Sequence, residues 1–283
     1  MAREGYRHST CYSAVKTLKR VARRVNILNP DAVRAFLADV SWSEGGKERV
    51  VNDIVRFYGY KQIPFNKPRY KRVQTLPFIP TEEEVNQLVS GMGKKTSCLL
   101  QLIKETGCRP GEAWNVRWID FDLERSTVSI RPEKNSNPRV LKISSRLIGM
   151  LSCHPKTWSL VFRNPEIDEI KTLNWMRRGF QRQRNSLAIR LQNPRLNQIS
   201  FRTLRHYKAT MEYHRTKDIL HVMRLLGHRN IKNTLVYTHL INFESEDYVC
   251  KAAKTVKEAQ ELIESGFDYV TEVEGYKLFR KRK

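Results

Sequence analysis

No two of the five cysteines in this sequence (Cys11, Cys98, Cys108, Cys153 and Cys250) stand at CxxC spacing. An odd, scattered set excludes a zinc ribbon and a disulfide framework, and predicts reduced thiols in a cytoplasmic protein without a structural metal. Long apolar runs are missing as well. Nothing approaches the roughly 18 apolar residues of a membrane span, and the opening "MAREGYRHSTCYS" lacks the apolar stretch of a signal peptide. Acidic residues are scarce, 29 Asp and Glu against 52 Lys and Arg. Between Lys171 and Arg229 only Glu212 and Asp218 stand among 14 basic residues. A net charge of +23 on a chain that is 40% hydrophobic describes a folded protein with a polyanionic partner, nucleic acid before a membrane surface. There is no internal repeat and no low-complexity segment.

What is present is mostly helical pattern. "CYSAVKTLKRVARRV" places apolar residues at helical spacing, with Lys16, Lys19, Arg20, Arg23 and Arg24 on other faces. "NPDAVRAFLADV" opens with Asn29 as N-cap and Pro30 in the first helical position, and "GKERVVNDIVRFYGY" predicts a third helix ending near Gly59. The segment "IPFNKPRYKRVQTLPFIP" cannot continue a helix, because Pro64, Pro68, Pro77 and Pro80 interrupt it; it reads as a basic linker with a domain boundary near residue 73. Thr81 then caps a helix with three glutamates at its positive end. Helices are expected over 81–92 and 95–106, and again from about 145 to 237. "STVSIRPEKNSNPRVLKIS" changes to strand period and predicts a hairpin with Lys134 in its loop. A helix around 251–265 and a small hairpin in "FDYVTEVEGYKLFRKRK" complete the chain. The expected fold is mainly α (α+β): a helical segment 1–73, then a larger domain 74–283 of helices with a small antiparallel hairpin.

Four stretches carry residues suited to a phosphodiester. "ETGCRPGEAWNVRW" sets Arg109 at the start of a helix, and "PEKNSNPR" supplies Lys134. "SFRTLRHYKAT" places Arg202 and Arg205 one turn apart, and "LLGHRNIKNTLVY" puts His228 on a turn nine residues before Tyr237. Arginine forks hold the non-bridging oxygens of a phosphate, where transition-state charge accumulates. A tyrosine oxygen can attack phosphorus if its proton is removed, and a lysine can protonate the departing oxygen. No acidic cluster stands nearby for magnesium, so neither metal nor cofactor is expected.

"TGCRPGEA", the hairpin lysine, "LRHYKAT" and "LLGHRNIKNTLVYTHL" resemble, in order and spacing over roughly residues 80–245, the signature boxes of the tyrosine recombinases, nearest to archaeal integrases and Xer-like proteins. The resemblance implies a helical core-binding domain at 1–73 and a catalytic domain at 74–283. It implies that Arg109 and Arg205 clamp the scissile phosphate, Lys134 is the general acid, His228 bonds the phosphate and Tyr237 forms a 3′-phosphotyrosyl link. It further implies double-stranded DNA as partner, a homo-tetramer on two sites (with a monomer as the alternative in free solution), and a C-terminal segment, residues 246–283, that docks on a neighbour. The task would be integration or excision of a mobile element, or Xer-like dimer resolution; type IB topoisomerase-like relaxation and a non-catalytic DNA-binding accessory role stand as alternatives.

One position departs from the pattern. Where the family usually has histidine three residues before the second arginine, this chain has Arg202. Arginine cannot accept a proton at neutral pH. Either Arg202 steadies the phosphate and its field lowers the Tyr237 pKa, or another group takes the proton. His206 and His239 read as packing residues, Glu112 as a residue that orients an arginine, and His214 with His221 as no metal site.

Overall fold

The computed structural model describes residues 4–71, 76–133, 136–239, 248–273 and 275–282. It is mainly helical with two small antiparallel sheets, as the sequence pattern predicts. The chain divides into two compact units, Met1–Leu76 with Asp168–Asn174, and Pro77–Ile167 with Trp175–Lys283.

In the first unit lie α1 (His8–Ala22), α2 (Pro30–Asp39) and α3 (Glu44–Lys61). The start of α2 follows from local chemistry: the Asn29 side chain accepts from the backbone N–H groups of Asp31 and Ala32, and Pro30 loses nothing at a position with no helical acceptor. The α3 helix runs two residues past Gly59 and stops at Gln62, which takes the left-handed conformation at φ 56°. One face of each helix contributes to a core of Val21, Val33, Leu37, Val50, Val51, Ile54 and Tyr58. Each such side chain contributes about 1.5–3 kcal/mol by leaving water.

The second unit begins with α4 (Glu82–Ser90), where Thr81 and Glu84 form a reciprocal capping box. Next, α5 (Lys94–Thr106) is buried over Ser97–Ile103, so it is the central helix, and Gly107 ends it at φ 61°. The short α6 (Pro110–Trp114) follows, then β1 (Phe121–Asp122), β2 (Thr127–Ile130) and β3 (Arg139–Lys142), a meander in the order β1-β2-β3. The expected hairpin is β2–β3, with Val128 opposite Leu141; β1 adds a third strand. After α7 (Ser145–Ser152), the stretch from 153 to 168 is not helical, within a range where helices otherwise dominate as expected. The long α8 (Glu169–Arg190), of which residues 169–174 belong to the first unit, is followed by α9 (Phe201–Thr216) and α10 (Ile219–Leu226), then a 3₁₀ turn over Leu235–His239.

The C-terminal part corrects one expectation. Residues Tyr248–Ala253 form a strand, β4, and the helix α11 starts only at Val256 and ends at Glu264. Thr255 and Glu258 make a capping box that fixes this start, while β4 pairs with the distant β6 (Tyr276–Arg282). With β5 (Asp268–Val273) the sheet order is β4-β6-β5, over a small core of Ala253, Ala259, Phe267 and Phe279. Among the described residues no helix is long and apolar enough to cross a membrane, and no group of three His, Cys, Asp or Glu could hold a metal ion.

Candidate active site

Arg109 follows the left-handed Gly107 and precedes Pro110, so its backbone is extended and its side chain leaves the first turn of α6. Glu112, one turn later and 4% exposed, holds it twice: Oε2 accepts from the Arg109 backbone N–H (2.8 Å) and Oε1 from Nη1 (2.9 Å). The same carboxylate accepts from Arg139 Nη2 (2.6 Å), Ser136 Oγ (2.8 Å) and, more loosely, the Glu133 backbone N–H (3.4 Å). Burial by itself would raise the Glu112 pKa, but the hydrogen bond and charge of Arg139, with the Arg109 backbone and Ser136, hold it at about 2. Glu112 is therefore a fixed anion between two guanidinium groups, consistent with its expected orienting role.

Arg205, on α9 and only 6% exposed, joins segments far apart in sequence. Nη1 donates to the Gly107 carbonyl (2.5 Å), and Nη2 donates to the Leu226 carbonyl (2.8 Å) and lies 2.9 Å from His228 Nε2. These carbonyls close α5 and α10, where a cation is favoured by the helix dipole. Three of the five guanidinium N–H groups are thereby used, leaving two for an anion. Burial, then Arg109 and Arg139, lowers the Arg205 pKa to about 10, so it stays charged at neutral pH.

His228 lies on the turn after Gly227 (φ 65°), as expected. Arginine can only donate, so Nε2 accepts and the ring proton sits on Nδ1, which donates to the fully buried Thr234 Oγ1 at 2.9 Å. Burial, then Arg205, Arg109 and Arg139, pushes its pKa down to about 4. In this arrangement His228 holds Arg205 in place.

Tyr237 sits in the 3₁₀ turn, 3% exposed, against Ala209, Val222 and Leu226. Its hydroxyl lies 2.9 Å from His206 Nδ1, with ring centroids 5.7 Å apart. Burial raises the Tyr237 pKa; Arg205, Arg202 and Arg109 pull it down by less. The field of Arg202 does lower this pKa, as one of the two expected alternatives has it, but the three arginines together do not outweigh desolvation. Arg202 is exposed on the first turn of α9 and forms no ion pair with a described residue. Lys134 lies outside the described residues, between Glu133 and Ser136, both of which bond Glu112.

The structure thus brings Arg109, Arg205, His228 and Tyr237 to one place and adds residues that spacing alone did not single out. Arg139 is buried against Glu112, Thr234 accepts from His228 Nδ1, and His206 contacts the Tyr237 hydroxyl. Asn137 bonds through its backbone N–H to the Gly227 carbonyl (3.0 Å) and through its side chain to Arg229 (3.3 Å), tying the hairpin to the His228 turn.

The helical second unit thus sets a tyrosine hydroxyl within the field of three arginines. Residues 80–243 match the model of the phage integrase family. The tyrosine recombinase XerA of Saccharolobus solfataricus is 28% identical over 180 residues, 63% of this chain and 56% of that protein. A tyrosine recombinase of Thermosipho africanus is 22% identical over 261 residues, 83% of this chain and 89% of its own length. Among solved structures, the lambda integrase(75–356) dimer bound to a COC′ core site has the same fold, with a TM-score of 0.60 at 14% identity over 87% of this chain and 93% of that one. The chain belongs to the phage integrase family.

Proposed function

We propose that this chain, as a tyrosine recombinase, cleaves and rejoins double-stranded DNA at specific sites through a 3′-phosphotyrosyl intermediate on Tyr237. The carrying observation is the Arg205 guanidinium, which gathers the Gly107–Arg109 turn and the Leu226–His228 turn beside the Tyr237 turn. Arg109 and Arg205 take the non-bridging oxygens of the scissile phosphate, and the exposed Arg202 steadies the same group. His228 keeps Arg205 in register, and Lys134 protonates the leaving 5′-oxygen. Phosphoryl transfer of this kind needs position and fixed positive charge more than new covalent chemistry. The exposed Arg177, Arg178, Arg182 and Arg190 of α8 add cations for the flanking backbone. Exchange between two sites calls for four copies, the arrangement of the lambda integrase tetramer bound to a Holliday junction, with residues 246–283 as the segment that reaches a neighbouring copy.

A duplex nicked just beyond the scissile phosphate tests this reading, because the departing fragment diffuses away and traps the intermediate. Wild-type protein is expected to become covalently attached to the 3′ side, and Tyr237→Phe to bind the duplex equally well without attachment. Attachment by the variant at the normal yield would place the nucleophile elsewhere. A two-site exchange assay separates recombination from relaxation.

A further inference from the structure

We propose that His206 is a catalytic residue that accepts the Tyr237 proton during attack, filling the position that Arg202 leaves without a base. The inference rests on the functional reading above. Its first support is contact: among the described residues, His206 Nδ1 is the hydrogen-bond partner of the Tyr237 hydroxyl, at 2.9 Å, within general-base reach. Its second support is the charge around the ring. Arg202 and Arg205 face it from its own helix, Tyr237 faces it from the 3₁₀ turn, and Arg109 acts on the same phenol. Among the described residues no carboxylate pairs with His206, and the neutral imidazole has one lone pair to give. Burial, then Arg202 and Arg205, pushes its pKa down to about 4, which keeps it unprotonated throughout the neutral range.

A ring held so far below neutrality is a weak base in the free protein. A bound phosphodiester changes this, because its negative charge opposes the two arginines that disfavour the imidazolium. The step then balances. The Tyr237 O–H bond breaks as Nδ1–H forms, the phenolate oxygen attacks phosphorus, and the 5′-oxygen leaves with a proton from Lys134. In the rejoining half the imidazolium returns its proton to the tyrosine oxygen as the 5′-hydroxyl of a partner strand attacks and gives its own proton back to Lys134. Arg202 holds the phosphate throughout and takes no part in proton transfer. A purely structural His206, packed with its ring tilted about 50° to that of Tyr237, would tolerate a phenyl ring in its place.

The test measures single-turnover covalent attachment to the nicked duplex for wild type, His206→Phe and His206→Gln. Thermal midpoint and duplex affinity of each variant are measured alongside; if His206→Phe does not fold, His206→Gln carries the comparison. Loss of a general base is expected to slow attachment by about 10²–10⁴-fold. The variant rate should also climb about tenfold per pH unit between about pH 7 and 9.5, as hydroxide replaces the lost base, while the wild-type rate stays flat. The defect should persist on a duplex whose 5′-bridging oxygen is replaced by sulfur, a leaving group that needs no acid. A folded variant within threefold of wild type, or one slowed without this change in pH dependence, would overturn the assignment. Failure of wild-type protein to attach at all would sink the functional reading and this inference with it.

Discussion

Glu112 is the residue on which the cationic site depends. One buried carboxylate receives Arg109, Arg139 and Ser136 and is held at about pKa 2 against the pull of burial. Replacing it with Gln keeps the shape and removes the charge, leaving two guanidinium groups without their counter-ion. Breaking a buried pair in this way costs about 3–5 kcal/mol. Glu112→Gln should therefore shift the urea midpoint well below wild type and cut the covalent yield even where the protein remains folded. An unchanged midpoint would mean that Arg139 finds another partner. Arg109, Arg205, His228 and Tyr237 were legible in the sequence because each stands in a short motif with its own geometry. Arg139 was not: it looks like any strand residue in "NPRV", and only the fold turns it toward Glu112. His206 reads in the sequence as a packing residue directly after Arg205, and successive helical residues point about 100° apart. The site spans that arc, with Arg205 reaching the ends of α5 and α10 while His206 reaches the Tyr237 turn.

Between elements, the hairpin and the His228 turn are coupled through Gly227. This glycine has φ 65°, its carbonyl accepts from Asn137, and a Cβ there would lie 2.8 Å from both Arg139 Nη1 and the Asn137 carbonyl oxygen. Gly227→Ala would add left-handed strain of about 1–2 kcal/mol and push the hairpin away. Reduced covalent attachment with duplex binding kept is the expected outcome. Full activity in a folded Gly227→Ala protein would show that the two elements work independently. The α10 end and the hairpin were each readable locally, from a glycine in one case and strand period in the other, but their joining was not. The same limit explains β4. "YVCKAA" has no local signal stronger than the helix that follows it, and its strand character comes from β6, more than twenty residues later.

For the molecule as a whole, two histidines of the site make stability depend on pH. His206 and His228 both titrate at about 4 in the folded chain, against an unfolded value near 6.5. The unfolded chain therefore binds more protons below pH 6.5, and stability falls as pH drops from 6.5 toward 4. After discounting for partial exposure, the pair should lower stability at pH 5 by roughly 2 kcal/mol relative to pH 7.5. Glu112 and Glu212, each held at about 2, extend the loss from about 4.5 downward. Urea unfolding at pH 7.5, 6 and 5 checks this; equal stability at all three would mean the rings protonate freely in the folded state.

The scatter of the site along the chain also bears on how the protein is made. A ribosome releases Arg109 well before the residues that complete its site: 128 more (237 − 109) must follow to reach Tyr237. At roughly 5–20 residues per second this takes roughly 6–25 s. Throughout that interval the nascent chain holds Arg109 without Tyr237, and over the first 96 residues (205 − 109) also without Arg205. On the proposed mechanism, a product cut short anywhere before residue 237 has no tyrosine to attach to DNA at this site.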